Sequence, residues 1–437
     1  MTISSSLNAG VAGLNANANR LATISDNIAN SQTYGYKRAQ ADFYSMVING
    51  GTSSSYTAGG VRSTNMRLID ERGPLIATGN ATDLAIDGRG FLLVTDMESL
   101  TDNSSSYDIA LATTGSFRPD QNGVMRTAAG QVLMGWPANA DGAVPEFPRD
   151  SIAGLTPVIF NANQYVANPT SSVTLGLNLP ATGTEFGSTF TPKDYPVEYF
   201  GNLGTSETLT FNFTPTIPTT LGDPPSNEWT LSITDSASNG AVIGEYTLTF
   251  DDSQADGGKL ATVTTVSGGG YDPLTGMVSS TVGGGTIDIF IGKPLTSNGL
   301  TQLSDTFAPV SVSKDGSPVA SLISVKVDTG GNLFAVYDQG FTRLIYKLPV
   351  ADVPNPNGLI SLNNQTYTVS PDSGPYYLWD AGTGPTGSVV GFAREESTTD
   401  IAQELTALIT TQRAYSSNAK VIQTVDEMLQ ETTNIKR

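Results

Sequence analysis

The sequence predicts a mainly β protein with a pair of coiled-coil-like α-helices formed by its N- and C-terminal segments. Both ends carry apolar residues at heptad spacing and lack helix-breaking residues: positions 1–33 contain no proline, and positions 401–437 contain neither glycine nor proline. Between the ends, Gly, Pro, Thr and Tyr are frequent and turn signals recur at short intervals. This pattern is typical of β-rich domains, including sandwiches and barrels.

The N-terminal helix is expected to begin at the serines of positions 4–6, which can cap it, and to end near Asn30, before Gly35. Its apolar stripe advances by alternating steps of four and three residues, with a polar side chain at Ser25. The stripe consists of Leu7, Val11, Leu14, Ala18, Leu21 and Ile28.

The C-terminal helix is expected to follow Asp400, which resembles a capping box together with Gln403. A stripe as narrow as the one on each helix fits coiled-coil pairing better than burial in a globular core. Two interpretations remain open: the helices pair within one chain, or the pair is stable only when further subunits cover it. On the second interpretation, the apolar stripes of both helices form the polymerisation interface. The stripe of the C-terminal helix consists of Ile401, Leu405, Leu408, Tyr415, Ala419, Ile422, Val425 and Leu429.

Three segments of the middle region carry turn signals. Residues 83–87 and 91–94 flank Gly88-Arg89-Gly90 and predict a hairpin. Residues 325–328 and 333–337 flank a Gly-Gly-Asn turn and predict another. The segment 114–124 contains a Pro-Asp-x-Asn-Gly turn.

A long stretch rich in Thr, Gly and Pro follows, with short strand signals at 208–213 and 246–250. It is interpreted as an inserted sandwich-like or barrel-like domain. The predicted division is a terminal helical domain (1–33 and 398–437), a linker (34–70), a β-rich inner domain (71–147 and 315–397) and an inserted outer β domain (148–314).

Composition excludes several classes of function. The 437 residues include no cysteine and no histidine, which removes disulfides, thiolate metal sites, cysteine nucleophiles and imidazole bases. The net charge of −19 disfavours nucleic-acid binding. No apolar run is long enough for membrane insertion, and the N-terminus lacks the regions of a signal peptide. Glycine runs at 268–270 and 283–285 lack a phosphate-binding context.

One acidic turn resembles a loose calcium loop. It contains Asp251, Asp252 and Asp256, but it misses the spacing and the distal glutamate of an EF-hand. An acidic surface turn is therefore the preferred interpretation. No catalytic residue, cofactor or metal site is predicted, and the chain is not expected to be an enzyme.

The charge is concentrated in the middle of the chain. Residues 1–40 carry +2 and residues 401–437 carry zero, which leaves −21 for the region between them. This distribution suggests that the nearly neutral ends pack against another surface and that the acidic middle region faces water.

The region 23–37 resembles the N-terminal signature of the bacterial flagellar rod, hook and hook-associated axial proteins, although it departs from the family pattern at Tyr34 and at Ser31-Gln32. The region 408–429 is similar to the family's C-terminal helix. Stretches at 83–94, 114–123 and 348–359 resemble hook members, as does the large β insertion. The residues carrying the terminal motifs are Asn27, Ile28, Ala29, Asn30, Gly35, Tyr36, Lys37, Gln412, Arg413, Ala414 and Tyr415.

This resemblance implies a structural subunit that self-assembles into a flexible hollow tube, transmitting torque from rod to filament and passing exported subunits. The implied partners are further copies of the chain, the distal rod protein, the hook cap, the hook–filament junction protein and the flagellar type III export apparatus. The implied location is extracellular, after export without a cleaved signal peptide. The helices' polar faces would line the lumen, with Asn8, Asn15, Asn17, Asn19, Thr410, Thr411, Ser416 and Ser417.

Two alternatives remain. A distal rod or hook–filament junction protein would share both terminal motifs and differ in the middle. A surface adhesin or glycan-binding sandwich would account for the acidic β body but would leave both helical ends unexplained.

Overall fold

The computed structural model describes residues 3–47, 58–97, 107–139, 142–160 and 165–435. The chain forms two compact units. Unit 1 consists of Met1–Ala162, Ile323–Val336 and Thr342–Arg437, and unit 2 consists of Asn163–Leu322 and Tyr337–Phe341. Both long helices, α1 (Ile3–Ala29) and α2 (Ile401–Ile435), belong to unit 1. Strands form most of the remaining regular structure, which confirms the predicted fold class.

The strands of unit 1 that precede unit 2 are β1 (Ala39–Ser45), β2 (Val61–Arg67), β3 (Leu75–Ala77), β4 (Asp83–Asp87), β5 (Phe91–Asp96), β6 (Ile109–Ala112), β7 (Thr114–Ser116), β8 (Arg118–Pro119), β9 (Met125–Arg126), β10 (Gln131–Pro137) and β11 (Thr156–Pro157). Then follow β12 (Tyr165–Asn168), β13 (Ser172–Leu179), β14 (Lys193–Phe200), β15 (Ser206–Pro215), β16 (Glu228–Asp235), β17 (Ala241–Phe250), β18 (Leu260–Ser267), β19 (Tyr271–Asp272), β20 (Met277–Val282), β21 (Gly285–Phe290), β22 (Thr301–Gln302), β23 (Ala308–Lys314) and β24 (Ser317–Val327).

The chain then continues through β25 (Asn332–Tyr337), β26 (Thr342–Lys347), β27 (Pro349–Asp352), β28 (Ile360–Ser361), β29 (Thr366–Thr368), β30 (Tyr377–Asp380), β31 (Ser388–Gly391) and β32 (Ala393–Glu395). Two 3₁₀-helices occupy Ala181–Thr184 and Pro356–Gly358.

The end of α1 and the start of α2 follow the local signals in the sequence. The start of α1 does not: the helix already includes Ile3, so the serines at positions 4–6, predicted as caps, lie inside its first turns. Helix α1 ends at Ala29, as predicted, and the chain turns through Gly35, whose φ of +72° favours glycine. Helix α2 begins directly after Asp400. The Oδ1 atom of Asp400 accepts hydrogen bonds from the N–H groups of Ala402 (2.8 Å) and Gln403 (3.2 Å), which confirms its capping role.

Strand β5 lies at the centre of the β structure of unit 1, where it pairs with β6, β10 and β27. Its alternate side chains enter two different apolar clusters: Leu92 and Val94 join one, and Phe91 and Leu93 join the other. Because both faces of the strand are buried, its sequence is a continuous apolar run without polar alternation.

The hairpin predicted at residues 83–94 is wrong. Strand β4 pairs with β7 and β31, whereas β5 pairs with other strands. The reason lies in Gly88 and Gly90, whose φ values of +112° and +125° let the chain pass from one sheet to the next. The Pro-Asp-x-Asn-Gly turn is confirmed between β8 and β9, and the Gly-Gly-Asn turn is confirmed between β24 and β25.

Unit 2 contains a β-sandwich. Strands β14 to β18 form a five-stranded antiparallel sheet in chain order, and β13 joins β20, β21, β22 and β23 in a second sheet. Inward side chains alternate along the strands, as with Leu209, Phe211 and Phe213 of β15, and they form one core with the side chains of β13 and β21. The predicted strands at 208–213 and 246–250 are confirmed within β15 and β17.

Candidate functional site

The two terminal helices pack against each other in antiparallel orientation. Gly10 of α1 lies beside Ile422, Gly13 lies beside Asn418, and Asn27 bonds to Glu404. A β-carbon added at Gly10 would lie 3.2 Å from Cγ1 of Ile422, and one added at Gly13 would lie 2.9 Å from Nδ2 of Asn418. The two glycines therefore permit the close approach of the helices.

We call the contact between the two helices the seam. It is made mainly of small and polar residues, together with three large apolar ones. Polar side chains can be buried there because their own helix satisfies them: Asn17 Nδ2 donates to the carbonyl of Gly13 (2.7 Å), and Thr411 Oγ1 donates to that of Ala407 (2.7 Å). The seam consists of Gly10, Gly13, Asn17, Ile24 and Asn27 on α1, and of Glu404, Thr411, Asn418, Ile422 and Val425 on α2.

The hairpin of β1 and β2, which lies within the predicted linker, covers a second side of α1. Gly60 approaches Ala12, and Asn19 Nδ2 donates to Ser63 Oγ (2.9 Å). Ala16 and Thr23, on the same side of α1, are buried. The hairpin therefore covers the helix positions that precede the seam by one residue.

The apolar stripes predicted from the sequence overlap the seam only in part. Ile422 and Val425 belong to both, whereas Val11, Leu14, Ala18, Ile28, Leu405 and Ala419 each directly follow a seam residue. One residue turns an α-helix by about 100°, so the stripes lie beside the paired surfaces. Val11, Ile401, Leu405, Tyr415 and Leu429 remain 41–46 % exposed, and Ala18 is exposed as well. Only Val425 of the stripes is buried, at 3 %. The other stripe residues, Leu7, Leu14, Leu21, Ile28, Leu408, Ala419 and Ile422, are half-buried.

Both stripes face the same side of the helix pair. The helices are antiparallel, and each stripe is displaced from the seam by one residue towards its own C-terminus, so the two rotations turn towards a common side. The β1–β2 hairpin lies on the opposite side of α1. The helix pair thus presents one composite apolar surface that the described residues of the chain leave partly uncovered.

The N-terminal motif ties the base of α1 to the chain around α2. Asn27 is 1 % exposed, and its amide makes four hydrogen bonds. Nδ2 donates to the carbonyl of Ala39 (2.8 Å) and to Oε1 of Glu404 (3.0 Å), while Oδ1 accepts from the N–H of Ala39 (2.8 Å) and the hydroxyl of Tyr36 (3.1 Å). These bonds use the full capacity of an asparagine side chain.

Lys37 forms a buried ion pair with Glu395. Nζ lies 2.6 Å from Glu395 Oε1, and it also donates to the carbonyl of Glu71 (2.6 Å). The side-chain exposures are 0 % and 2 %. Burial lowers the pKa of Lys37, against the opposing effect of the Glu395 carboxylate. The pair fixes the segment after α1 to the segment before α2.

Tyr36 completes this network. Its hydroxyl donates to Asp26 Oδ2 (2.9 Å), and the guanidinium of Arg67 lies 4.9 Å from its ring centroid. Desolvation by burial, with a further contribution from the hydrogen bond to Asp26, raises the pKa of Tyr36 to about 12. The backbone carbonyl of Tyr36 accepts from the N–H of Thr398 (3.1 Å), close to the start of α2.

The remaining motif residues divide into two groups. Gly35 donates from its N–H to the carbonyl of Glu395 (2.8 Å), and Asn30 Nδ2 donates to Asp26. The C-terminal motif behaves differently: Gln412, Arg413 and Tyr415 are exposed. Ala414 and Ile28 are half-buried, and Ala29 is exposed.

Sequence reasoning missed the acidic partners of this network, Glu395 and Glu404. Glu404 is the acidic residue in the first turn of α2, and its place near the start of the helix was the available signal. Two predicted lumen residues are also wrong for this chain, because Asn17 and Thr411 are buried at 8 % and 3 % in the seam. The other six predicted lumen residues are exposed.

Within the part of the chain that the structure describes, no three acidic, cysteine or histidine side chains are grouped to hold a metal ion. Neither α1 nor α2, over its described residues, is both long and apolar enough to cross a membrane.

Known protein families match the two ends of the chain, and known proteins match it over its whole length. Residues 7–37 match the family described as flagella basal body rod protein, and residues 391–435 match the flagellar basal body rod FlgEFG protein C-terminal family. The chain is 34 % identical to the flagellar hook protein FlgE of Rhizobium meliloti (strain 1021), with 100 % of both chains covered. It is 27 % identical to FlgE of Escherichia coli (strain K12), with 98 % of both chains covered.

Among solved structures, the crystal structure of the Helicobacter pylori flagellar hook protein FlgE2 aligns with a TM-score of 0.47 and 12 % identity. That alignment covers 72 % of this chain and 98 % of the other.

Proposed function

This chain belongs to the flagellar hook protein family, and from that membership we propose that the composite apolar surface of α1 and α2 is its polymerisation interface. The protein is a structural subunit of the hook. In the proposed assembly, neighbouring copies cover the stripes, the helix pairs form the wall of a hollow tube, and the tube bends while it transmits torque and passes exported subunits.

One observation carries the proposal: six of the fourteen stripe residues remain exposed although the helices already pair. Apolar surface contributes about 25 cal/mol per Å² when it is removed from water. Five large stripe side chains retain nearly half of their accessible surface, so further copies of the chain can gain free energy by covering them. The seam itself offers limited apolar surface, because Ile24, Ile422 and Val425 are its only large apolar residues and the others are glycine, asparagine, threonine and glutamate.

The proposed partners follow from hook membership. They are further copies of the chain, the distal rod protein, the hook cap, the hook–filament junction protein and the type III export apparatus. We propose an extracellular location reached without a cleaved signal peptide. We further propose that the inserted domain at 148–314 projects outwards from the helical wall, and that residues 71–147 and 315–397 form the inner β domain between them.

Full-length relatives that carry the hook name support a hook over a distal rod or junction protein. Electron microscopy of purified polymer tests this choice. A curved, superhelical tube is the expected result, and short straight tubes would contradict it.

A pair of matched variants tests the interface. Leu405→Asn places an amide on the stripe, whereas Met428→Asn makes the same change at an exposed apolar residue of α2 outside the stripe. We expect Leu405→Asn to stay monomeric at concentrations at which the unmodified chain sediments as polymer, and Met428→Asn to polymerise normally. Circular dichroism of the monomers checks that both variants retain their helices. Polymerisation of Leu405→Asn at the unmodified critical concentration would refute the interface.

Limited proteolysis tests whether assembly protects the ends. We expect residues 1–30 and 401–437 to be cleaved quickly in monomers and to be protected in polymers. Equal protection in dilute monomers would show that neighbouring copies add nothing to the stability of the helix pair.

A further inference from the structure

Unit 1 contains a cleft of about 640 Å³ that the helix interface does not use. Three arginines line it: Arg118 and Arg126 on the strands beside the Pro-Asp-x-Asn-Gly turn, and Arg394 on β32. Tyr34, one of the positions at which the N-terminal motif departs from the family pattern, also lines it.

The positive charge in this cleft is incompletely neutralised. Arg118 lies 3.0 Å from Asp83, and Arg126 lies 3.5 Å from Asp120, but the side chains of both arginines remain nearly half exposed. The guanidinium of Arg394 lies 3.9 Å from the ring centroid of Tyr34, and no carboxylate among the described residues forms an ion pair with it. Its buried Nε atom has no hydrogen-bond partner among those residues either. A guanidinium held flat on an aromatic ring keeps its edge free for an acceptor.

The complementary charge lies in the other unit of the same sequence. Unit 2 contains 4 lysines, no arginine and 16 acidic residues, so its net charge is −12. The acidic turn singled out in the sequence, with Asp251, Asp252 and Asp256, belongs to this unit. Asp252 is exposed, and hydrogen bonds from the side chain and then the backbone N–H of Ser253 lower the pKa of Asp251. Asp256 is paired with Lys259 (2.7 Å), so Asp251 and Asp252 carry the available negative charge of the turn.

We propose that the arginine cleft of unit 1 binds the acidic turn at residues 251–256 of a second copy of this chain. The proposal rests on the proposed self-assembly. The planar guanidinium groups match carboxylates in geometry as well as in charge. Such a contact is polar and screened by salt, so its main effect is to set the register of one copy against the next. The apolar stripes supply most of the association free energy.

Charge reversal in the full-length chain tests the contact. We expect Arg126→Glu to raise the critical concentration for polymerisation about tenfold at low salt, and to do so less at high salt. Arg394→Gln, which keeps a planar side chain over Tyr34, should show a smaller increase. Lys326→Glu makes the same charge change at an exposed residue of unit 1 outside the cleft and should polymerise as the unmodified chain does.

Rescue of assembly by a second charge reversal identifies the segment that binds in the arginine cleft. Asp251→Arg with Asp252→Arg should impair assembly alone and should restore it when combined with Arg126→Glu. Absence of rescue, or an unchanged critical concentration for Arg126→Glu, overturns the proposal. Failure of the unmodified chain to polymerise would instead refute the self-assembly on which it rests, so the two failures are distinguishable. Thermal unfolding of the monomers confirms that each variant is folded.

Discussion

Asn27 of α1 donates a hydrogen bond from Nδ2 to Oε1 of Glu404 in α2, at 3.0 Å, although 377 positions separate the two residues in the chain. Both side chains are buried. The bond lies at the end of the seam where α1 stops and α2 begins. It therefore fixes the register of the two helices at the point where they join the β structure of unit 1.

Replacement of Asn27 by alanine should destabilise the helix pair. The change leaves the buried Glu404 carboxylate and the N–H and C=O groups of Ala39 without their present partner. Since each buried unsatisfied group costs about 1–3 kcal/mol, we expect the free energy of unfolding to fall by about 3 kcal/mol. Urea unfolding followed by helical circular dichroism measures it. Asn15→Ala, at an exposed position of α1, is the control and should change stability by less than about 0.5 kcal/mol.

The free energy of unfolding should fall strongly when one partner of the Lys37–Glu395 ion pair is replaced, and less when both are replaced. Lys37→Met leaves a buried carboxylate uncompensated, which costs about 3–5 kcal/mol for a buried pair. Adding Glu395→Gln removes that charge while the amide oxygen can still accept from the N–H of Gly73, so the double variant should recover much of the loss. Chemical unfolding of Lys37→Met, of Glu395→Gln and of the double variant measures the coupling free energy between the two side chains. Additive losses would show that the two side chains act independently.

The ionisation of Tyr36 should contribute to the pH dependence of the free energy of unfolding. Its folded-state pKa of about 12 lies above the usual value of 10. The unfolded chain therefore releases the phenolic proton first, and the contribution of Tyr36 to stability, complete below pH 10, is lost as the pH rises from 10 to 12. Tyr36→Phe should be less stable at neutral pH and should lose less stability over that interval. Unfolding at several alkaline pH values measures the difference, and parallel curves for the two proteins would contradict the prediction.

Gly13 should not accept a large side chain. A β-carbon there already approaches the amide of Asn418 at 2.9–3.0 Å, so Gly13→Leu must separate the helices or displace Asn418. We expect a loss of about 1–3 kcal/mol despite the gain in helix propensity. Asn15→Leu places the same side chain on an exposed face of α1 and should be tolerated. Thermal unfolding of both variants tests the comparison, and equal melting temperatures would argue against a close helix contact at Gly13.

The elements whose signals are local could be predicted from the amino-acid sequence. Heptad spacing and the Asp400 cap define the two helices, alternating apolar residues define the strands of the sandwich, and the terminal motifs identify the family. Each of these depends on neighbours within a few residues, so the printed sequence contains the whole signal.

Which helix face is buried, and which strands pair, depends on contacts between segments that are distant in the chain. The apolar stripe is a clear periodic signal in each helix, yet the helices meet mainly through small and polar residues one position earlier, because glycine allows closer approach than leucine. Gly88 and Gly90 resemble a hairpin turn locally, but β4 pairs with β7 and β31 while β5 pairs with β6, β10 and β27, so the strands on either side do not pair with each other. Hydrogen bonds such as those of Asn27 with Glu404 and Lys37 with Glu395 join opposite ends of the chain, and no local pattern specifies such pairings.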